Sequence, residues 1–141
     1  MATEAAEIDR DLLVDGFLQR RRYQLELADA AADEHTLVCL PTGLGKTTVS
    51  LLVTAERLHG AGGKALFLAP TKPLVQQHAD FYREALQIPD DEIVVFTGDV
   101  KPDDRAALWD DARIVIATPQ VVENDLVGNR ISLRNVTHCT F

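Results

Sequence analysis

In the stretch LVCLPTGLGKTTV, residues 37–49, an apolar run breaks at two glycines and a lysine and then turns apolar again. Glycine admits backbone conformations and close approaches that a β-carbon blocks. Successive main-chain N–H groups of Thr42, Gly43, Leu44 and Gly45 can therefore converge on one anion. A helix beginning near Lys46 would add its positive end to the same point. Lys46 brings a mobile ammonium suited to the β- and γ-phosphates of a nucleotide such as ATP, and Thr47, with Thr48 beside it, brings a hydroxyl suited to Mg2+. A glycine turn carrying an exposed lysine is the competing account. Against it stands the register of Gly45, Lys46 and Thr47, which fall between an apolar strand and an apolar helix, the context that a phosphate-binding loop requires. One departure is visible: the general pattern expects its first glycine at position 40, where this chain has Leu40, and Pro41-Thr42-Gly43 makes the turn instead.

Positioning such a loop takes strands and helices in alternation. TLVCL (36–40), KALFLA (64–69), EIVVFT (92–97), RIVIAT (113–118) and VTHCTF (136–141) are short apolar runs rich in β-branched and aromatic residues, the pattern of strands buried on both faces of a parallel sheet. Between them, KTTVSLLVTAERLHG, PLVQQHADFYREALQ, KPDDRAALWDD and PQVVENDLVGN carry helical spacing or helix-start signals. In the second of these, Leu74, Val75, His78, Phe81, Tyr82 and Ala85 are expected to share the buried stripe. Trp109 is expected to anchor the third to the core. Five strands with intervening helices predict an α/β fold, a doubly wound and mainly parallel sheet built from right-handed βαβ units. Residues 1–34 form an N-terminal segment, predicted as two helical stretches over 7–33, and residues 35–141 the α/β part.

Composition bounds the partners. With 46 % apolar and 26 % charged residues, the 141-residue chain has an ordinary globular balance and can bury one core. No apolar stretch reaches the length of a membrane span, and MATEAAEIDR is acidic where a secretory signal would be basic and then apolar, so a soluble cytoplasmic protein is expected. Cys39 and Cys139 lie in apolar runs and read as small buried hydrophobes. His35, His59, His78 and His138 lack ligand spacing, so no structural metal is expected. The adjacent acids Asp103-Asp104 and Asp110-Asp111 read as solvated helix faces. Net charge is −8, with ten Arg to four Lys. An anionic surface argues against nucleic acid unless it reflects adaptation to concentrated salt, which is the reading adopted.

The loop LPTGLGKTT resembles motif I of superfamily 2 helicases, whose loop has this proline-threonine-glycine form. Other segments then fall into order. RRRYQ resembles the motif in which Gln24 reads the adenine edge, framed by Tyr23 and Arg21. APTKPLVQQ (69–77), TGD (97–99) and ATPQ (117–120) resemble motifs Ia, Ib and Ic, each at the end of a predicted strand. Ligands of open α/β sheets bind beyond the carboxyl ends of strands, so these turns should share one rim. Pro70, Thr71, Lys72, Gln76, Thr97, Gly98, Thr118, Pro119 and Gln120 are the residues the resemblance assigns to a DNA strand, held by its backbone.

More narrowly, these segments with VTHCTF resemble the Hef/FANCM group of DNA helicases, in particular the Hef type of salt-loving archaea, over almost the whole chain from Arg20. The resemblance implies a RecA-like P-loop domain using ATP and Mg2+ on single-stranded, branched or fork DNA, with Lys46 and Thr47 catalytic and Thr47 the metal contact through ATP. The group's D-E-x-H carboxylates follow a strand like VTHCTF. They would begin where this sequence stops, as would a second RecA-like domain, so the domain is read as incomplete. A strand that inserts between TLVCL and VTHCTF in this class of fold would be lacking too, and marginal stability of the isolated chain is expected. Two alternatives stay open: a P-loop kinase or non-helicase ATPase, and a non-enzymatic fragment that only binds nucleotide.

Overall fold

The computed structural model describes residues 46–141 together with Ala6, Glu7, Gln19, Arg20, Glu26, Ala28 and Ala31. Two short segments, β1 (Ala6–Glu7) and β2 (Gln19–Arg20), pair antiparallel, Ala6 with Arg20 and Glu7 with Gln19. Helix is found at Glu26, Ala28 and Ala31. The helical reading of 7–33 therefore fails at Glu7, Gln19 and Arg20, where main-chain pairing between distant residues overrides a weak local propensity.

The remaining elements alternate: α1 (Lys46–Ala61), β3 (Lys64–Leu68), α2 (Lys72–Ala85), β4 (Ile93–Phe96), α3 (Pro102–Asp111), β5 (Ile114–Ala117), α4 (Pro119–Val127) and β6 (Val136–Thr140). The four strands form one sheet in the order β4-β5-β3-β6, and every pairing is parallel. Leu66 lies opposite both Val115 and Cys139, and Val94 opposite Val115. The predicted strand 36–40 lies outside the described residues.

Side chains of a strand alternate between faces, and here the alternation divides the core in two. Ala65, Phe67, Ile93, Ile114 and Ile116 pack under α1 and α2 with Leu51, Leu52, Val75, Ala79, Tyr82 and Ala85. Leu66, Val94, Phe96, Val115 and Ala117 face the other way, onto Trp109, Ala112, Val121, Val122 and Ile131 of the α3 and α4 side. Helices on both faces explain why the strands read as unbroken apolar runs. Trp109 is buried as expected. The stripe of α2 is rotated from the expected one: Ala79 is fully buried while Leu74 is exposed. Thr71 caps that helix, its hydroxyl accepting from the Leu74 N–H, and this places Leu74 in the exposed first turn.

A buried lysine closes the far end of the second layer. Lys64 Nζ donates to the carbonyls of Trp109 and Ala112 at the end of α3 and lies 4.8 Å from the Trp109 ring. It thereby supplies donors to carbonyls that a helix end leaves without intrahelical partners. Burial pushes its pKa below 10.5, with the charges of Asp110 and Asp111 opposing the fall.

β6 departs from the other strands. It pairs with β3 on one edge, and among the described residues no strand pairs its other edge. Cys139 is exposed on a strand that fully buries none of its residues, which corrects its reading as a buried hydrophobe. The strand is held to α1 and to the glycine turn after it: Arg57 donates to the Thr137 carbonyl at 2.8 Å, and the Thr137 hydroxyl to the Gly62 carbonyl at 2.7 Å.

Candidate functional site

The rim beyond the carboxyl ends of the strands is built by continuing the sheet ladder into the turns. Ala69 N–H donates to the Ala117 carbonyl at 3.0 Å, and Thr118 N–H to the Phe96 carbonyl at 3.2 Å. Three turns leave the sheet there: Ala69-Pro70-Thr71 after β3, Thr97-Gly98-Asp99-Val100 after β4, and Thr118-Pro119-Gln120 after β5. Because β5 lies between β3 and β4, its turn stands between the other two. A salt bridge of 3.0 Å from Lys72 to Asp99 links the outer pair.

Pro70, Thr71, Lys72, Gln76, Gly98, Pro119 and Gln120 are exposed on these turns and on the helices that open from them, so the fold brings the sequence-predicted rim residues together. Four details differ from a uniform set of contacts. Thr97 and Thr118 are buried, at 6 % and 9 % exposure. Thr97 spends its polar atoms on its own turn, its hydroxyl accepting from Asp99 N–H and its carbonyl from Val100 N–H. The Gln76 amide donates to Asp80 four residues along its helix. Pro119 opens α4 beneath Thr118, whose hydroxyl makes no capping bond. The pairs Asp103-Asp104 and Asp110-Asp111 are exposed on α3, in keeping with solvated faces.

Thr42, Gly43, Leu44 and Gly45, expected as a phosphate loop, and Arg21, Tyr23 and Gln24, expected at the adenine, lie outside the described residues. Lys46 is the first residue of α1, a helix of 16 residues with no acid in its first turn, and Thr47 and Thr48 are half-buried there. A short glycine turn joins α1 to β3, so the helix runs back along the sheet and its start lies toward the rim. The contact that fixes this is one turn past Lys46. Ser50 Oγ lies 2.8 Å from the Tyr82 hydroxyl and 3.4 Å from Thr140 Oγ1, at the carboxyl end of β6. Thr140 Oγ1 in turn lies 2.8 Å from His138 Nε2. Burial pushes the Tyr82 phenol up to about 12, its bonds with Ser50 and Thr54 acting the other way. The pKa of His138 is lowered by burial and then by the Arg57 charge.

Sequence reasoning missed this chain of hydroxyls, because a serine and a tyrosine at helical spacing look like surface and core respectively. It also missed Arg105 and Asp125, which form a buried bidentate pair, Nε to Oδ2 at 2.7 Å and Nη2 to Oδ1 at 2.8 Å. Asp125 is fully buried and Arg105 is 5 % exposed. Among the described residues no cluster of three or more His, Cys, Asp or Glu could hold a metal ion, and no helix is long and apolar enough to cross a membrane.

With this geometry in place, comparison with known proteins is decisive for family. Residues 21–140 match the DEAD/DEAH box helicase family. The chain belongs to that family. It is 43 % identical over 126 residues to the Methanocaldococcus jannaschii protein MJ1505, which bears the name of an ATP-dependent RNA helicase, covering 89 % of this chain and 16 % of that protein. The Fanconi anemia group M protein of Gallus gallus is 43 % identical over 107 residues, 75 % of this chain and 5 % of the relative. The crystal structure of the Pyrococcus furiosus Hef helicase domain superposes with a TM-score of 0.83 at 43 % identity, over 85 % of this chain and 25 % of that one. The Hef/FANCM resemblance read from the motifs and the RecA-like α/β fold both stand on these likenesses. The kinase alternative falls with them. This chain spans a sixth or less of the two relatives' lengths.

Proposed function

We propose that this chain is the ATP-binding part of the first RecA-like domain of an ATP-dependent superfamily 2 DNA helicase or translocase, acting on branched or fork DNA in the cytoplasm. The observation that carries the reading is the shared rim: three motif turns stand side by side at one end of a parallel sheet, and α1 opens with Lys46 toward that same end. ATP with Mg2+ fits the chemistry of the first turn of α1, where a lysine and two threonine hydroxyls meet a helix start free of carboxylates. Lys46, Thr47 and Thr48, with residues 42–45, would hold the phosphates, and Thr47 the metal. Gln24, with Arg21 and Tyr23, would read the adenine. When bound, the nucleotide supplies the phosphoryl group whose hydrolysis drives movement, and a second RecA-like domain is the partner that movement requires.

Pro70, Thr71, Lys72, Gln76, Gly98, Pro119 and Gln120 would hold the DNA backbone, while Thr97 and Thr118 shape the turns from beneath. Few of these contacts are charged, which suits an anionic protein in concentrated salt.

Titration of a fluorescent ATP analogue with Mg2+, and separately of labelled single-stranded DNA and RNA of one sequence, tests the reading. Lys46→Ala should weaken nucleotide binding at least about tenfold and leave DNA binding intact, because an ion-assisted phosphate contact is lost and the rim is untouched. A wild-type chain that takes up no nucleotide would overturn the proposal. Tighter binding of RNA than of DNA would move the substrate class to RNA.

A further inference from the structure

The turn after β4 carries motif Ib residues but leaves the sheet ladder at Thr97, so strand pairing alone does not place Gly98, Asp99 and Val100. Among the described residues, two side chains hold it besides the turn's own bonds. One is the exposed Lys72 bridge to Asp99, which solvent and salt weaken. The other comes from below. Arg105, on α3, donates through Nη1 to the Val100 carbonyl, while Nε and Nη2 grip the two oxygens of Asp125. Asp125 belongs to α4, the helix that begins at Pro119 on the neighbouring rim turn. Arg130 adds a contact of 3.6 Å to the same carboxylate, and its N–H donates to the Asp125 carbonyl at 2.9 Å. One guanidinium therefore touches the main chain of one motif turn and the helix that issues from the next.

We infer that Arg105 is a positioning residue for nucleic-acid binding: with Asp125 it sets the turn 97–100 against α4, so that the two motif turns meet a strand in one fixed register. The inference rests on the proposed DNA-binding role of the rim. Three physical points carry it. A buried ion pair is weak evidence for stability, since well-packed apolar residues of similar volume often replace it at no loss, so its placement matters more than its existence. The placement is at the junction of two rim turns and not within one helix. Each of the three guanidinium nitrogens also donates to a different acceptor, which a lysine's single point charge cannot reproduce. A binding constellation must be held within about 0.5 Å of its productive geometry by the groups that support it, and Arg105 is such a support for this turn.

Arg105→Lys and Asp125→Asn, with Lys72→Ala as a comparison, test the inference on the full chain. Affinities for a labelled single-stranded DNA oligonucleotide and for the fluorescent ATP analogue are measured across a salt series, together with thermal midpoints. The expected result is a fall of about tenfold in DNA affinity for Arg105→Lys and for Asp125→Asn, with nucleotide affinity within about twofold of wild type. The double variant should be little worse than either single one, because both remove the same clamp. The salt slope should stay at the wild-type value for both, while Lys72→Ala lowers it by about 0.7, the value for one phosphate contact on a single strand. Parallel losses of DNA and nucleotide affinity, or no loss of either, would reduce Arg105 to a structural role and overturn the inference, as would failure of both conservative variants to fold. A salt slope lowered in Arg105→Lys would make it a direct phosphate contact instead. If wild type binds DNA through Lys72 and is indifferent to Arg105, this inference alone falls; if wild type binds no DNA, the rim reading falls and takes it down as well.

Discussion

At the scale of single residues, the polar chain from Ser50 through Thr140 to His138 makes a claim about pH. His138 is half-buried on β6, accepts or donates at Nε2 to Thr140, and faces Arg57 across from α1. His78 is half-buried on α2, its ring 4.7 Å from that of Phe67. Burial lowers the pKa of both, and for His138 the Arg57 charge adds to the fall. Above the ordinary histidine value near 6.5 both folded and unfolded chains carry neutral rings, and neither group affects stability. As pH drops below it, the unfolded chain takes up protons that the folded one refuses, so stability declines until pH passes the folded values. Urea melts from pH 7.5 to 5.5 should show a midpoint that is flat and then falls. His138→Gln, which keeps a polar partner for Thr140, should remove part of the decline; an unchanged pH profile in that variant would contradict the assignment. None of this was legible in the sequence, where scattered histidines without ligand spacing carry no signal.

At the scale of elements, the join between α1 and β3 governs how β6 is seated. Gly62 and Gly63 both adopt left-handed backbone, φ +67° and +76°, but their surroundings differ. A β-carbon on Gly62 would meet nothing within 4 Å, whereas on Gly63 it would stand 2.6 Å from Thr137 Cγ2 and 2.7 Å from the Asn135 carbonyl oxygen. Gly62→Ala should therefore cost only the left-handed strain, about 1 kcal/mol. Gly63→Ala adds a collision with backbone and should cost about 3 kcal/mol in chemical denaturation, the overpacking range on top of that strain. Equal losses for the two would show that β6 yields. HGAGGK was readable as a helix stop, but which glycine β6 leans on was not, since that depends on a strand some seventy residues away. The same division holds throughout the fold. Strands β3 to β5 were legible because burial on two faces leaves few polar residues in the run. The rotation of the α2 stripe from Leu74 to Ala79 was not, because the cap at Thr71, and not apolar periodicity, sets where that helix starts relative to the sheet. Of the candidate site, the rim turns were legible from TKP, TGD and TPQ, while the Arg105 and Asp125 clamp beneath them looked like two more charges on helix surfaces.

At the scale of the whole molecule, net charge and ion pairing pull in opposite directions as salt is added. The chain carries 22 acids against 14 lysines and arginines, an excess that repels itself more strongly when compact than when extended. Salt shortens the reach of that repulsion from about 10 Å at 0.1 M to about 3 Å at 1 M. It also screens exposed pairs such as Lys72 with Asp99, but such pairs contribute only about 0 to 1 kcal/mol each. The ion pair in the core, Arg105 with Asp125, is shielded from solvent and should barely respond. Relief of repulsion should therefore win, and the thermal midpoint should climb by several degrees between 0.1 and 2 M KCl, where an ordinary balanced domain would change little. Lys72→Ala should climb at least as steeply as wild type, since it deletes a pair that salt weakens and leaves the excess of acids larger. A midpoint that falls with KCl would mean that surface pairing outweighs repulsion, and the acidic composition would then need an origin other than adaptation to salt.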